Sequence, residues 1–291
     1  MNKAEATHIA DKHYKKLEKY SSEITSDFDQ EAIHQFRVEF KKLRAFLRLL
    51  RLAPEVNQEL RVPRKLKKMY VQAGILRDLQ LQQEQVREAA RSEIKKPAEY
   101  YYLLYRKIEK QKHRIRKHFS VSLVKHCKAK TNSFLPACST LPTLESYKEN
   151  KLQNIRSVIS AGHFLEGDLH AIRKILKDLF YNSRVYHEKE QGDESEKKEQ
   201  KDLDDLLDAL GSFQDKCTAI SLVKPRWLQK MPGYSRQLPL RIKEKWIKEK
   251  QSMKKVLIER LNDEYVSGQF QKNRARKFPG PAPGDGLQRA G

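Results

Sequence analysis

IHQFRVEFKKLRAFLRLLR, residues 33–51, carries two interleaved stripes. Ile33, Phe36, Phe40, Leu43, Leu47 and Leu50 form an apolar row with the spacing of a core-facing helix. One residue further on, His34, Arg37, Lys41, Arg44, Arg48 and Arg51 recur at intervals of 3, 4, 3, 4 and 3. A one-residue shift is about 100° around a helix, so the cations occupy a face beside the core face. Successive cations climb about 5 Å per turn, a rise that suits an extended polyanion lying along the axis. Arginine offers a planar fork to phosphate oxygens and lysine a mobile point charge. Histidine donates from either ring nitrogen, and a neighbouring anion favours its protonated form. A basic helical face is ordinarily solvated surface, so one such stripe carries little weight alone.

A second copy changes that weighting. His34-x-x-Arg37-x-x-x-Lys41 recurs as His170-x-x-Arg173-x-x-x-Lys177, an offset of 136. Gly74-x-x-Arg77-Asp78 recurs as Gly211-x-x-Gln214-Asp215, an offset of 137. Two motifs sharing almost one offset indicate two related halves of about four helices each, paired by a pseudo-twofold axis. A glycine inside a helix costs about 1 kcal/mol relative to alanine, and close helix packing is the expected use of Gly74 and Gly211. Asp78 and Asp215 are expected to orient basic side chains or cap helices, because neither has a second acid at a matching position for acid–base work. Arg77 is expected to reach the anion.

The rest of the chain fits a helical, strongly basic protein. Of 291 residues, 38% are hydrophobic, enough for a core, while Gly and Pro number only 11 each, which favours helices over a sheet. The net charge is +22, so the expected partners are nucleic acid, anionic lipid or a phosphate polymer. Residues 188–208 hold ten acids against four bases, which concentrates the positive charge elsewhere. Three cysteines without paired spacing argue against a disulfide framework, and no CxxC or HExxH metal pattern occurs. Neither a signal-peptide apolar run nor a stretch of about 20 apolar residues is present, so the reading is a soluble cytoplasmic protein.

Periodicity predicts helices over 3–22, 27–52, 57–93 with a break near Gly74, 98–119, 144–159, 164–187, 202–223 and 239–265. Asp27 or Asp29 is expected to cap the second helix and Pro54 to stop it. Residues 131–147 read as the connection between halves and 187–201 as an exposed charged linker. The division is therefore 1–135, 136–268 and a disordered tail at 269–291. A further basic face on 98–119 adds Arg106, Lys110 and Arg114 as weaker candidates.

LKKMYVQAGILRDLQ (66–80), LHAIRKILKDLFY (169–181) and LDDLLDALGSFQD (203–215), together with the opening stretch, resemble the CHAD family, the conserved-histidine α-helical domain. The resemblance spans about residues 5–265 and is more specific in the first half. It implies an all-α fold of two four-helix bundles around a basic central cavity or pore, and binding of inorganic polyphosphate there. It carries His34, Arg37, Lys41, Arg44, Lys67 and Arg77 from the first half, and His170, Arg173 and Lys177 from the second. This chain departs from the pattern at Phe180 and Gln214, where a basic residue is expected; Lys174 and Arg184 are candidates to compensate. Members often accompany a CYTH triphosphate-processing domain, and this sequence reads as a module without one.

The expectation is thus a non-catalytic polyphosphate-binding module needing no cofactor and no metal, associated with polyphosphate granules and open to other polyanions. The alternatives are an RNA- or DNA-binding protein, for which no recognised motif or base-stacking set appears, and a metal-dependent phosphohydrolase, for which the histidine-bearing helices offer no carboxylate cluster.

Overall fold

The computed structural model describes residues 1–56, 59–162, 164–187 and 194–265, with backbone alone at 184, 187 and 194–200. It is all-helical: α1 Lys3–Asp27, α2 Gln30–Leu50, α3 Arg64–Ala89, α4 Ala98–His118, α5 Val121–Ser133, α6 Leu144–Ser160, α7 Glu166–His187, α8 Glu194–Leu222, α9 Pro225–Leu228 and α10 Gly233–Tyr265. Among the described residues there is no strand, only an isolated bridge between Asn2 and Cys138. Nor is any described helix long and apolar enough to cross a membrane. Cys127, Cys138 and Cys217 are free thiols. The expected tail at 269–291 lies outside the described residues.

Local signals set most helix ends. Asn2 accepts from the Glu5 amide while Glu5 accepts from the Asn2 amide, a reciprocal cap on α1. Asp29 is the cap of α2, accepting from Ala32 N at 2.7 Å. Several elements differ from the sequence reading. The third helix begins at Arg64, not 57, because Pro63 disfavours helical geometry at Val62 and stands as the N-cap. It then runs unbroken through Gly74. The charged stretch read as linker is helical from Glu194 onward, continuous with α8. A helix not anticipated, α5, fills 121–133, and α10 starts six residues before Pro239.

The apolar row of α2 is buried throughout, from Ile33 to Leu50, and Leu169, Ile172, Leu176 and Leu179 form the matching row on α7. Each fully buried side chain of this kind stabilises by about 1.5–3 kcal/mol. The larger core cluster draws on α1–α5, and also on Ala219, Val223, Trp227, Ile242 and Trp246. The smaller joins α6, α7 and α8 to Leu257, Leu261 and Tyr265 of α10. Ala45 of α2 belongs to this second cluster, and Leu49 packs with Tyr147 and Leu179. The two stripe-bearing helices therefore pack directly on each other. Asn182 Nδ2 closes that crossing by donating to Ala45 O at 3.1 Å and Tyr147 Oη at 2.8 Å.

On the α1 side of α2 sits Glu39, only 2% exposed. His13 Nδ1 and Lys42 Nζ each lie 2.8 Å from its carboxylate. Burial would raise this carboxyl, yet His13 and Lys42 outweigh it and hold Glu39 at about 2.

Candidate anion-binding site

The α2–α7 crossing brings the two cationic rows together around Lys41. Its charged neighbours are Arg37 and Arg44 from its own helix and Arg173 and Lys177 from α7. Burial, reinforced by these four cations, pushes the Lys41 amine down to about 7. Lys177 is lowered by burial and Arg173, but Asp208, Asp204 and Asp215 oppose the shift. His34 is lowered by burial and by Arg77, Lys41 and Lys177. Burial, then Lys174, lowers His170, against a hydrogen bond with the Gln214 side chain. Like charges this close are costly without a counter-ion. An anion seated here would reverse each of these shifts.

Each half repeats one contact that explains why its two motifs travel together. The Arg37 guanidinium lies over Gly74: Nη1 sits 2.0 Å from where a β-carbon would be. It also donates to Tyr70 O at 3.4 Å and rests 4.8 Å from the Tyr70 ring centroid. On the other half Arg173 Nη2 sits 3.3 Å from the β-carbon position of Gly211. The glycines therefore make room for a guanidinium; helix-to-helix closeness, the expected reason, is not what the contact shows. Among the described residues, Arg44 Nε, Arg173 Nε and His170 Nδ1 are shielded from solvent without a hydrogen-bond partner. Buried polar atoms are normally satisfied, and the two arginine Nε atoms are donors, so together they mark where an acceptor belongs.

Asp78 and Asp215 stand among the basic side chains they are expected to orient, but the reason given for that expectation changes. They are electrostatic neighbours of each other, and both line a small cavity with Gln82 and Gln85. A second acid does therefore stand beside each. Burial raises both carboxyls, while Arg37, Lys41 and Arg77 pull both down and Arg173 pulls Asp215.

Beyond the cluster α2 leads into a cavity of about 910 Å³. Arg44, Arg48 and Lys67, all sequence candidates, line it. So do Arg51, Arg61, Arg64, Lys65, His126 and Lys130, against a single carboxylate, Glu59. His126 and Lys130 come from α5 and were missed; their spacing of four is the signal that would have placed them on one face.

The remaining candidates divide. Arg48 makes an ion pair with Asp178 of α7 at 2.8 Å, clamping the crossing as well as lining the cavity. Arg77 Nη1 donates to Gln30 Oε1 at 2.8 Å beside His34. Lys174 is exposed next to His170. The side chain of Arg184 lies outside the described residues. Arg106, Lys110 and Arg114 are exposed on α4 and are not among the groups gathered around Lys41; Lys110 and Arg114 neighbour Lys107 instead.

Comparison with known proteins accords with this architecture. The family model described as CHAD domain matches residues 8–224. A solved structure, the crystal structure of the CHAD domain from the plant Ricinus communis, is similar with a TM-score of 0.71 at 15% identity, covering 90% of this chain and 91% of that chain. No curated protein matches. With its duplicated histidine–arginine helices and a family match over most of its length, the chain belongs to the CHAD domain family.

Proposed function

We propose that this protein binds inorganic polyphosphate, without turning it over, through the Lys41 cluster and the adjoining cavity. One observation carries the reading: five cations from two helices converge, and Lys41 among them is driven down to about 7. Asp78 and Asp215 neighbour the cluster, yet Lys41 stays lowered, so cations outweigh acids around it and a mobile anion suits the place. Arginine forks and buried unpartnered donors suit phosphate oxygens. The polymer's repeating charge suits a row of cations at one per helical turn. Cytoplasmic residence and attachment to polyphosphate granules follow from this reading as proposals.

The test is calorimetric titration with long-chain polyphosphate across salt concentrations. Binding is expected to weaken steeply, with a log–log slope of about −0.7 per phosphate contact if the polymer behaves as a single strand. No binding heat at low salt overturns the reading. RNA of equal charge competing equally well makes the site merely electrostatic.

One observation favours a second reading, phosphohydrolysis: the proximity of Asp78 and Asp215. Paired carboxylates are what a metal-assisted hydrolase employs. Incubation with polyphosphate and Mg²⁺ or Mn²⁺ decides it. Phosphate release lost in Asp78→Asn with Asp215→Asn establishes catalysis; no release in the wild-type protein leaves binding alone.

A further inference from the structure

The two halves meet the anion with opposite charge at their outer ends. Arg37–Gly74 and Arg173–Gly211 fix which faces of α3 and α8 look toward the stripes. Lys67, Val71, Gly74 and Asp78 lie on that face of α3. At the same offset of 137, Asp204, Asp208, Gly211 and Asp215 lie on that face of α8. The glycine and inner aspartate are kept; the two outer positions are not. Residues 64–71 hold four cations and no acid, whereas 201–208 hold one lysine and four aspartates.

The surroundings diverge in the same sense. Lys67 and Val71 line the basic cavity. Asp204 and Asp208 are exposed and act on Lys177, the last cation of the second row before Phe180; Arg184, one turn beyond Phe180, has its side chain outside the described residues. Where α2 continues outward with Arg44, α7 has Phe180, buried in the second core cluster. A polyanion leaving the Lys41 cluster toward the first half meets rising positive charge; toward the second it meets carboxylates and an apolar wall.

We infer that the track is one-sided: the site holds a chain end, with the polymer running out over Lys67 into the cavity and Asp204 and Asp208 closing the opposite exit. This rests on the polyphosphate reading above. A terminal phosphate suits the Lys41 cluster, because it carries more charge than an interior one for the cations to meet and no chain continues from it toward the carboxylates. The acids act here by repulsion, which discriminates without adding affinity.

The experiment is calorimetry of the full chain with linear polyphosphates of increasing length and with cyclic phosphates, which have no ends. The wild-type protein is expected to bind one molecule per chain end whatever the length, and to bind cyclic phosphates at least about tenfold more weakly. Asp204→Lys with Asp208→Val, which restores the first-half residues, is expected to open the exit. Proteins bound per chain then rise with length, and the salt slope steepens by about 0.7 per added contact. Asp204→Asn with Asp208→Asn, which only removes the repulsion, is expected to shift stoichiometry in the same direction, by less. Unchanged helical circular dichroism confirms that each variant folds. Wild-type stoichiometry that already grows with length, or variants indistinguishable from wild type, overturns the inference while leaving polyphosphate binding intact. Absence of binding in every arm overturns both.

Discussion

The Arg37 site and the Arg173 site are the same contact in different company. In each, an arginine from a stripe helix lies over a glycine of a neighbouring helix, with an aspartate four residues beyond that glycine. Around Arg37 stand Arg77 beside His34, Arg44 along α2 and Lys67 on α3. Around Arg173 the matching places hold Gln214, Phe180 and Asp204. The arginine–glycine contact is therefore the shared element, and the charge around it is what differs. Removing the shared element should abolish binding; altering the surroundings should only bias it.

The strongest break is Arg37→Glu combined with Arg173→Glu. Polyphosphate affinity is expected to fall more than about 100-fold with helicity retained, because two charge-assisted forks become repulsive. Taken singly, Arg37→Glu should cost more than Arg173→Glu. Equal losses measured by calorimetry would make the halves equivalent after all.

A second difference lies on the core side. Glu39 corresponds by the same offset to Ile175, so the buried carboxylate at this place is peculiar to the first half. Glu39→Gln is expected to destabilise by about 3 kcal/mol, read from urea midpoints, since it strips a buried ion pair of one partner. The folded value near 2 lies below the ordinary 4.5, so the stabilisation is present above pH 4.5 and is lost as pH falls toward 2. An acid transition identical in wild type and Glu39→Gln would contradict this.

Lys41 and Lys177 should differ in proton linkage. Burial and its four cationic neighbours hold the Lys41 amine down at about 7, and a bound anion would raise it, so binding is expected to take up a proton. Affinity is then expected to weaken by up to about tenfold per pH unit above 7. Calorimetry in buffers of different ionisation enthalpy should show uptake that shrinks in Lys41→Gln to the share of His34 and His170 and persists in Lys177→Gln, where Asp208, Asp204 and Asp215 already oppose the downward shift.

The smallest effect compares the glycines. A β-carbon at Gly74 lands on Arg37 Nη1, the free end of a flexible side chain, which must move aside. Gly74→Ala is expected to weaken binding several-fold while gaining up to about 1 kcal/mol of helix stability. Gly211→Ala, with 3.3 Å available, should leave binding nearly unchanged. Thermal melts run beside the titrations separate the two effects.

Much of this was legible in the sequence because a 3.6-residue period projects two faces unambiguously. The buried row from Ile33 to Leu50 and the cationic row beside it both stand where their spacing puts them. What periodicity lacks is the partner helix. That Arg48 would meet Asp178, or Asp78 would meet Asp215, depends on how distant helices cross. Gly74 was misread for the same reason, since its neighbour is a side chain from position 37. Pro63 was a local signal overlooked in favour of a long amphipathic pattern. In α5 the cations His126 and Lys130 were lost because short, weakly patterned helices give periodicity little to act on.

The two core clusters share more than a boundary. α8 places Leu206 and Phe213 in one and Ala219 in the other, and α10 does likewise with Leu261 and Trp246. Each long helix is a splint across the join. Neither cluster can melt without fraying a helix that the other still holds, so the chain should lose its structure in a single cooperative step. The geometry that holds Arg37 near Arg173 is thereby kept until the molecule gives way as a whole.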